Sequence, residues 1–225
     1  MIYIIILFAE LVILYFLSKR LTQDLFNFIY GLTKKRNLAI YILAVLFLPG
    51  TFIHEISHFL TALFLFVPVG EVEFLPEIQG SDSLKMGSVA IGKTDPIRKF
   101  LVGIAPFIIG TFLIIGSLSF LTLNNLLENP YFLILISYLV FSVGNTMFAS
   151  KSDLKGAGEL FVFLLFIYSL AVIFRIDSPG LNREIVLSTD AVFLIKTANL
   201  LLAVPLILDT AVIYLLKLFR VRIRI

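Results

Sequence analysis

Cysteine is absent from the 225 residues, so disulfides and thiolate metal sites are excluded. Charge is scarce: Asp, Glu, Lys and Arg together make up 15% of the chain. Internal repeats, low-complexity tracts and a second, polar domain are also missing. The net charge is only +3, and no basic-aromatic cluster marks a nucleic-acid partner. Histidine occurs twice, at His54 and His58.

Apolar residues fill the space that charge leaves, at 60% of the chain. Apolar runs of about 18 or more residues recur, the mark of helices that span lipid. The sequence predicts an all-α polytopic membrane protein of about six transmembrane helices. The spans are 2–17, 38–66, 99–123, 130–149, 159–175 and 190–216. The first has neither a basic segment before it nor a small-residue cleavage site after it, so it reads as a retained helix rather than a signal peptide. The second is interrupted by Pro49-Gly50, which predicts a kink or local unwinding. Residues 1–225 form one membrane-embedded domain in this reading, with a core over about 38–156 and peripheral helices at 2–17, 159–175 and 190–216.

Linker 67–98 differs in character. VGEVEFLP (69–76) alternates apolar and polar residues, LKMGSVAIG (84–92) is a second strand-like run, and QGSDS (79–83) is turn material. The expectation is a small β-hairpin or sheet between helices 2 and 3. Alternating spans would put Lys85, Lys93, Arg98, Lys99, Lys151, Lys155, Lys217, Arg220, Arg222 and Arg224 on the face of this linker. Fewer basic residues fall on the other face: Lys19, Arg20, Lys34, Lys35, Arg36, Arg175 and Arg183. The excess assigns the linker face to the cytoplasm.

Residues 54–58 read HEISH, a match to HExxH inside an apolar span. On a helix, positions i and i+4 share one face, so both imidazoles reach a single metal ion. Glu55, beside the first ligand, suits a general base that activates water and later protonates a leaving amine. Nitrogen and oxygen ligands with one open position fit zinc, one ion per chain. Without cysteine or a third histidine, the third ligand must be a carboxylate. Asp153 and Glu159 are the candidates on the pentad's face, and Asp153, directly after the fourth span, is preferred. Asp82, Asp95 and the linker glutamates are weaker options. Ionisable groups at membrane depth are costly and line water-filled cavities or pair across helices. Glu10, Lys196 and Asp209 belong to that class. The C-terminal KLFRVRIRI alternates basic and apolar residues, a pattern suited to anionic lipid.

With the pentad and Asp153 in place, the chain resembles the site-2-protease-like intramembrane zinc metalloproteases. That family carries HExxH in one transmembrane helix and its third ligand in a later NxxPxPxLDG pattern. The matching stretch here, 145–153, reads NTMFASKSD. The Asn-to-Asp spacing is kept, while Phe148 and Ser150 stand for the prolines, Ser152 for the leucine and Leu154 for the glycine. The chain is thus similar to a divergent branch, over roughly 45–156. GIAPFIIG (103–110) loosely resembles a Gly-Pro segment of the family's next core helix. The resemblance implies an intramembrane endopeptidase with His54, His58 and Asp153 on zinc and Glu55 as base. The implied partner is a membrane-protein substrate with a transmembrane or membrane-adjacent segment, and the lipid bilayer is the medium. It also implies that Asn145 helps hold the unwound substrate or the developing oxyanion. A helix–helix hydrogen bond is the alternative for Asn145. Substrate would pair with a strand edge in 69–75 or 86–91. Two other readings remain: a zincin with Glu159 as third ligand acting on soluble or surface-exposed chains, and a non-catalytic membrane partner.

Overall fold

The computed structural model describes residues 2–73, 77–79, 83–85, 87–148, 153 and 189–223. Among the described residues there are six α-helices: α1 (Ile2–Thr33), α2 (Arg36–Leu46), α3 (Leu48–Phe64), α4 (Pro96–Leu123), α5 (Pro130–Thr146) and α6 (Thr189–Ile223). Between α3 and α4 lie β1 (Val69–Glu73), β2 (Glu77–Gln79), β3 (Ser83–Lys85) and β4 (Ser88–Ile91). β1 pairs with β4 and β2 with β3, both antiparallel. The expected strand pair is therefore present, as two short ladders along one hairpin. The predicted span 159–175 lies outside the described residues.

Three described helices, α1, α4 and α6, are long and apolar enough to cross a membrane, and α2 with α3 makes a fourth if the bent pair is one span. Large side chains such as Phe16, Phe112 and Ile207 point away from the protein. In water that arrangement would be costly; in lipid it is the expected outer surface. The buried core is correspondingly thin, a seam of Leu14, Ile114, Leu121, Val140 and Leu202 where α1, α4, α5 and α6 meet.

The second span breaks, with a 70° bend between α2 and α3. Pro49 sits in the first turn of α3, where its missing N–H costs nothing. In a continuous helix the Gly50 N–H would bond the Leu46 carbonyl. Instead it donates to Ser142 Oγ at 2.9 Å, and the Leu46 carbonyl accepts from Tyr138 Oη at 2.9 Å. Helix α5 thus satisfies both backbone groups that the break releases. The approach is close enough to require glycine: a Cβ on Gly50 would lie 2.3 Å from the Ser142 carbonyl oxygen.

Two expectations change. First, α1 does not end at residue 17 but runs on to Thr33. Its polar stretch stays helical because Arg20 pairs with Asp24 one turn on (3.8 Å) and Lys19 bonds the Tyr15 hydroxyl. Second, six alternating spans would set α6 antiparallel to α1, yet the two run in the same direction. Asn199 Nδ2 donates to the Tyr3 carbonyl at 3.0 Å near one end, and Phe28 meets Phe219 at 6.4 Å near the other. Lys217 therefore lies beside the C-terminal half of α1.

Gly50→Val should force α3 and α5 apart and cost about 1–3 kcal/mol. Thermal unfolding in detergent should show a clear fall for this variant and none for Gly31→Ala, where an added Cβ meets nothing within 4 Å.

Candidate metal centre

Two turns of α3 present His54 and His58 on one face, as the four-residue spacing requires. Their Nε2 atoms stand 3.2 Å apart. Asp153 completes the group: its Oδ2 is 3.6 Å from His54 Nε2, and its Oδ1 is 3.6 Å from His58 Nε2. One donor atom from each of the three residues lies within 4.8 Å of the others. Ligands about 2.0–2.2 Å from a tetrahedral ion sit roughly 3.3–3.6 Å from one another. The imidazole pair and the nearer carboxylate oxygens stand close to that spacing, and one donor from each residue falls within 4.8 Å, so the three residues could hold a single metal ion.

The histidine tautomer is also set correctly. His58 Nδ1 lies 2.8 Å from the Val102 carbonyl oxygen. A carbonyl can only accept, so Nδ1 carries the hydrogen and Nε2 keeps its lone pair for a metal. His54 Nδ1 is buried without a partner among the described residues.

Three features of the site escaped the sequence. One is the Val102 carbonyl, which no side-chain pattern reports. The next residue, Gly103, is the second: a Cβ there would lie 2.2 Å from the Asp153 carbonyl oxygen. Only glycine lets the Asp153 backbone lie directly on α4, so the GIAPFIIG stretch matters for a steric reason. Gly87, the third, stands just before β4. A Cβ on it would come within 2.9 Å of both Cγ and Oε1 of Glu55. The hairpin thus closes directly over the buried Glu55.

A cavity of about 970 Å³ joins these groups. His54, Glu55, His58 and Asp153 line one end, and Ser88, Val89 and Ile91 of β4 form a wall. The polar centre and apolar flanks of 52–60 are two faces of one helix, one toward the cavity and one toward lipid.

The other candidates separate clearly. Asn145 lines the cavity, but both of its amide hydrogens are committed, to the Phe141 carbonyl (2.9 Å) and to Asp209 Oδ1 (2.8 Å). The helix–helix bond is present, and no hydrogen remains for an oxyanion. Asp95 caps α4, accepting from the backbone N–H groups of Ile97 (3.1 Å) and Arg98 (3.0 Å). The Arg98 N–H chiefly holds its carboxyl below the usual range. Glu73 accepts from Ser88 Oγ. Lys196 sits over the Tyr3 ring, and Glu10 Oε2 has no hydrogen-bond partner among the described residues. Asp82 and Glu159 lie outside the described residues. Compared with family models, curated proteins and solved structures, the chain matches none.

Purified protein should lose bound metal on Asp153→Ala. Gly103→Ala, which would otherwise favour the helix by about 1 kcal/mol, should weaken metal affinity by about tenfold or more through displacement of Asp153. Metal titration in detergent reads both outcomes.

Proposed function

We propose that the protein is an intramembrane zinc endopeptidase, a divergent relative of the site-2-protease-like enzymes. Its substrate is a peptide bond in or near a transmembrane segment of another membrane protein. The observation that carries the reading is the convergence of His54, His58, Asp153 and Glu55 on one cavity within an apolar helical frame.

His54 Nε2, His58 Nε2 and one Asp153 oxygen would hold the zinc, leaving a fourth position open. The ion, when bound, supplies Lewis-acid polarisation of a carbonyl and lowers the proton affinity of water. Glu55 acts as the base: it takes a proton from the attacking water and returns it to the departing amine nitrogen. Its burial beneath Gly87 restricts exchange with bulk water and holds the carboxyl at the cavity wall. Val102 fixes His58 through the second ring nitrogen.

A transmembrane helix must open before it can be cut. Among the described residues β4 pairs along one edge, with β1, and it lines the cavity. Its other edge offers main-chain hydrogen bonds to an extended substrate, with the scissile bond led toward the histidines.

Glu55→Gln should retain metal and lower turnover of a transmembrane substrate by about 10²–10⁴-fold. Val89→Pro should leave metal content unchanged and reduce cleavage by roughly fivefold, about one main-chain hydrogen bond. Both are read by cleavage in reconstituted vesicles, and full activity in Glu55→Gln would remove the peptidase reading.

A further inference from the structure

Asp209 lies within α6 and is 0% exposed. Its Oδ1 accepts from Asn145 Nδ2 at 2.8 Å. Its Oδ2 has no hydrogen-bond partner among the described residues, and neither has Asn145 Oδ1. Both orphans are acceptors, on side chains already joined by one bond. Among the described residues, no Lys, Arg or His forms an ion pair with Asp209. On α6 itself, Lys217 is two turns on, about 12 Å along the axis, and Lys196 is farther back over Tyr3. On α1, Lys19 is bonded to Tyr15 and Arg20 pairs with Asp24. On α5, the group facing Asp209 is the neutral Asn145.

An ionised carboxylate in this place would give up water for a single hydrogen bond, with no counter-charge, which is strongly unfavourable. A neutral acid resolves both orphans together. A carboxylic acid and a primary amide form a closed pair: N–H to one carboxyl oxygen, and O–H from the other back to the amide oxygen. The second amide hydrogen then stays free for another acceptor, and here it goes to the Phe141 carbonyl.

We propose that Asp209 carries a proton and that its neutral carboxyl forms this two-bond pair with Asn145, making Asp209 a positioning residue for the last turn of α5. Asn145 is the penultimate residue of α5, and the chain leaving that helix arrives at Asp153. Next to it, Gly144 would place a Cβ 3.4 Å from Pro205 Cβ, so α5 and α6 touch closely at this level. The pair therefore fixes where the third metal ligand begins its approach. The inference goes beyond the peptidase reading and is tested without measuring cleavage.

The test uses the full chain in detergent as wild type, Asp209→Asn and Asp209→Ala. Infrared difference spectra should show that Asp209→Asn removes one carbonyl band of a protonated carboxyl. Because Asn reproduces both hydrogen bonds, this variant should keep the wild-type melting temperature and zinc affinity. Asp209→Ala strands the Asn145 oxygen and one hydrogen, and should melt roughly 3–9 °C lower with zinc affinity weakened several-fold. Two results overturn the proposal. One is an infrared spectrum in which Asp209→Asn removes no protonated-carboxyl band. The other is an Asp209→Asn protein that fails to fold, or loses as much stability and metal affinity as Asp209→Ala.

Discussion

The hydrogen bond between His58 Nδ1 and the Val102 carbonyl does more than orient an imidazole. It ties the metal-facing side of α3 to α4 at the position where Gly103 admits the Asp153 backbone. The second histidine and the third ligand are thus referenced to one pair of neighbouring residues on α4. A carbonyl that accepts from a side chain needs no sequence identity, but its placement needs the helix beneath it to be rigid and close. Packing of Ala62, Val67 and Val102 supplies that closeness at the end of α3. The same packing sets the point from which β1 departs and hence the position of the hairpin over Glu55.

Much of the centre was legible because its chemistry is periodic or scarce. With two histidines in the chain and both in one pentad, only a carboxylate could complete the set. Asp153 stood where threading of the spans placed it, beside the pentad. The strand pair was legible from alternation, and the broken span from Pro49-Gly50. Partners contributed by backbone were not: Val102 and Gly103 act through a carbonyl and through a missing Cβ. Neither leaves a signature beyond a glycine in an apolar run.

Hydropathy misplaced the end of α1 because it measures transfer to lipid, not helix formation. Arg20 and Asp24 neutralise each other on the helix surface, so charge ended the apolar run without ending the helix. The direction of α6 was misjudged for a related reason. Alternation counts predicted crossings, and an error in one crossing inverts every element after it. The pairing of Tyr3 with Asn199 is independent of that count. Asn145 was equally open from sequence, since a membrane amide serves substrate or neighbour alike, and the choice depended on Asp209, remote in sequence.

The parallel packing of α1 and α6 also constrains the order of biogenesis. Tyr3 and Asn199 are separated by 196 positions, so α1 leaves the ribosome long before its principal neighbour exists. The contacts of α3 with α4 and α5 span much shorter stretches of chain and close earlier, at lower entropic cost. Among the described helices, the contacts of α3 with α4 and α5 can therefore close before α6 is available to α1. Until α6 emerges, the face of α1 that it covers is open to lipid or to a chaperone, and Asn145 has no Asp209 to hold it.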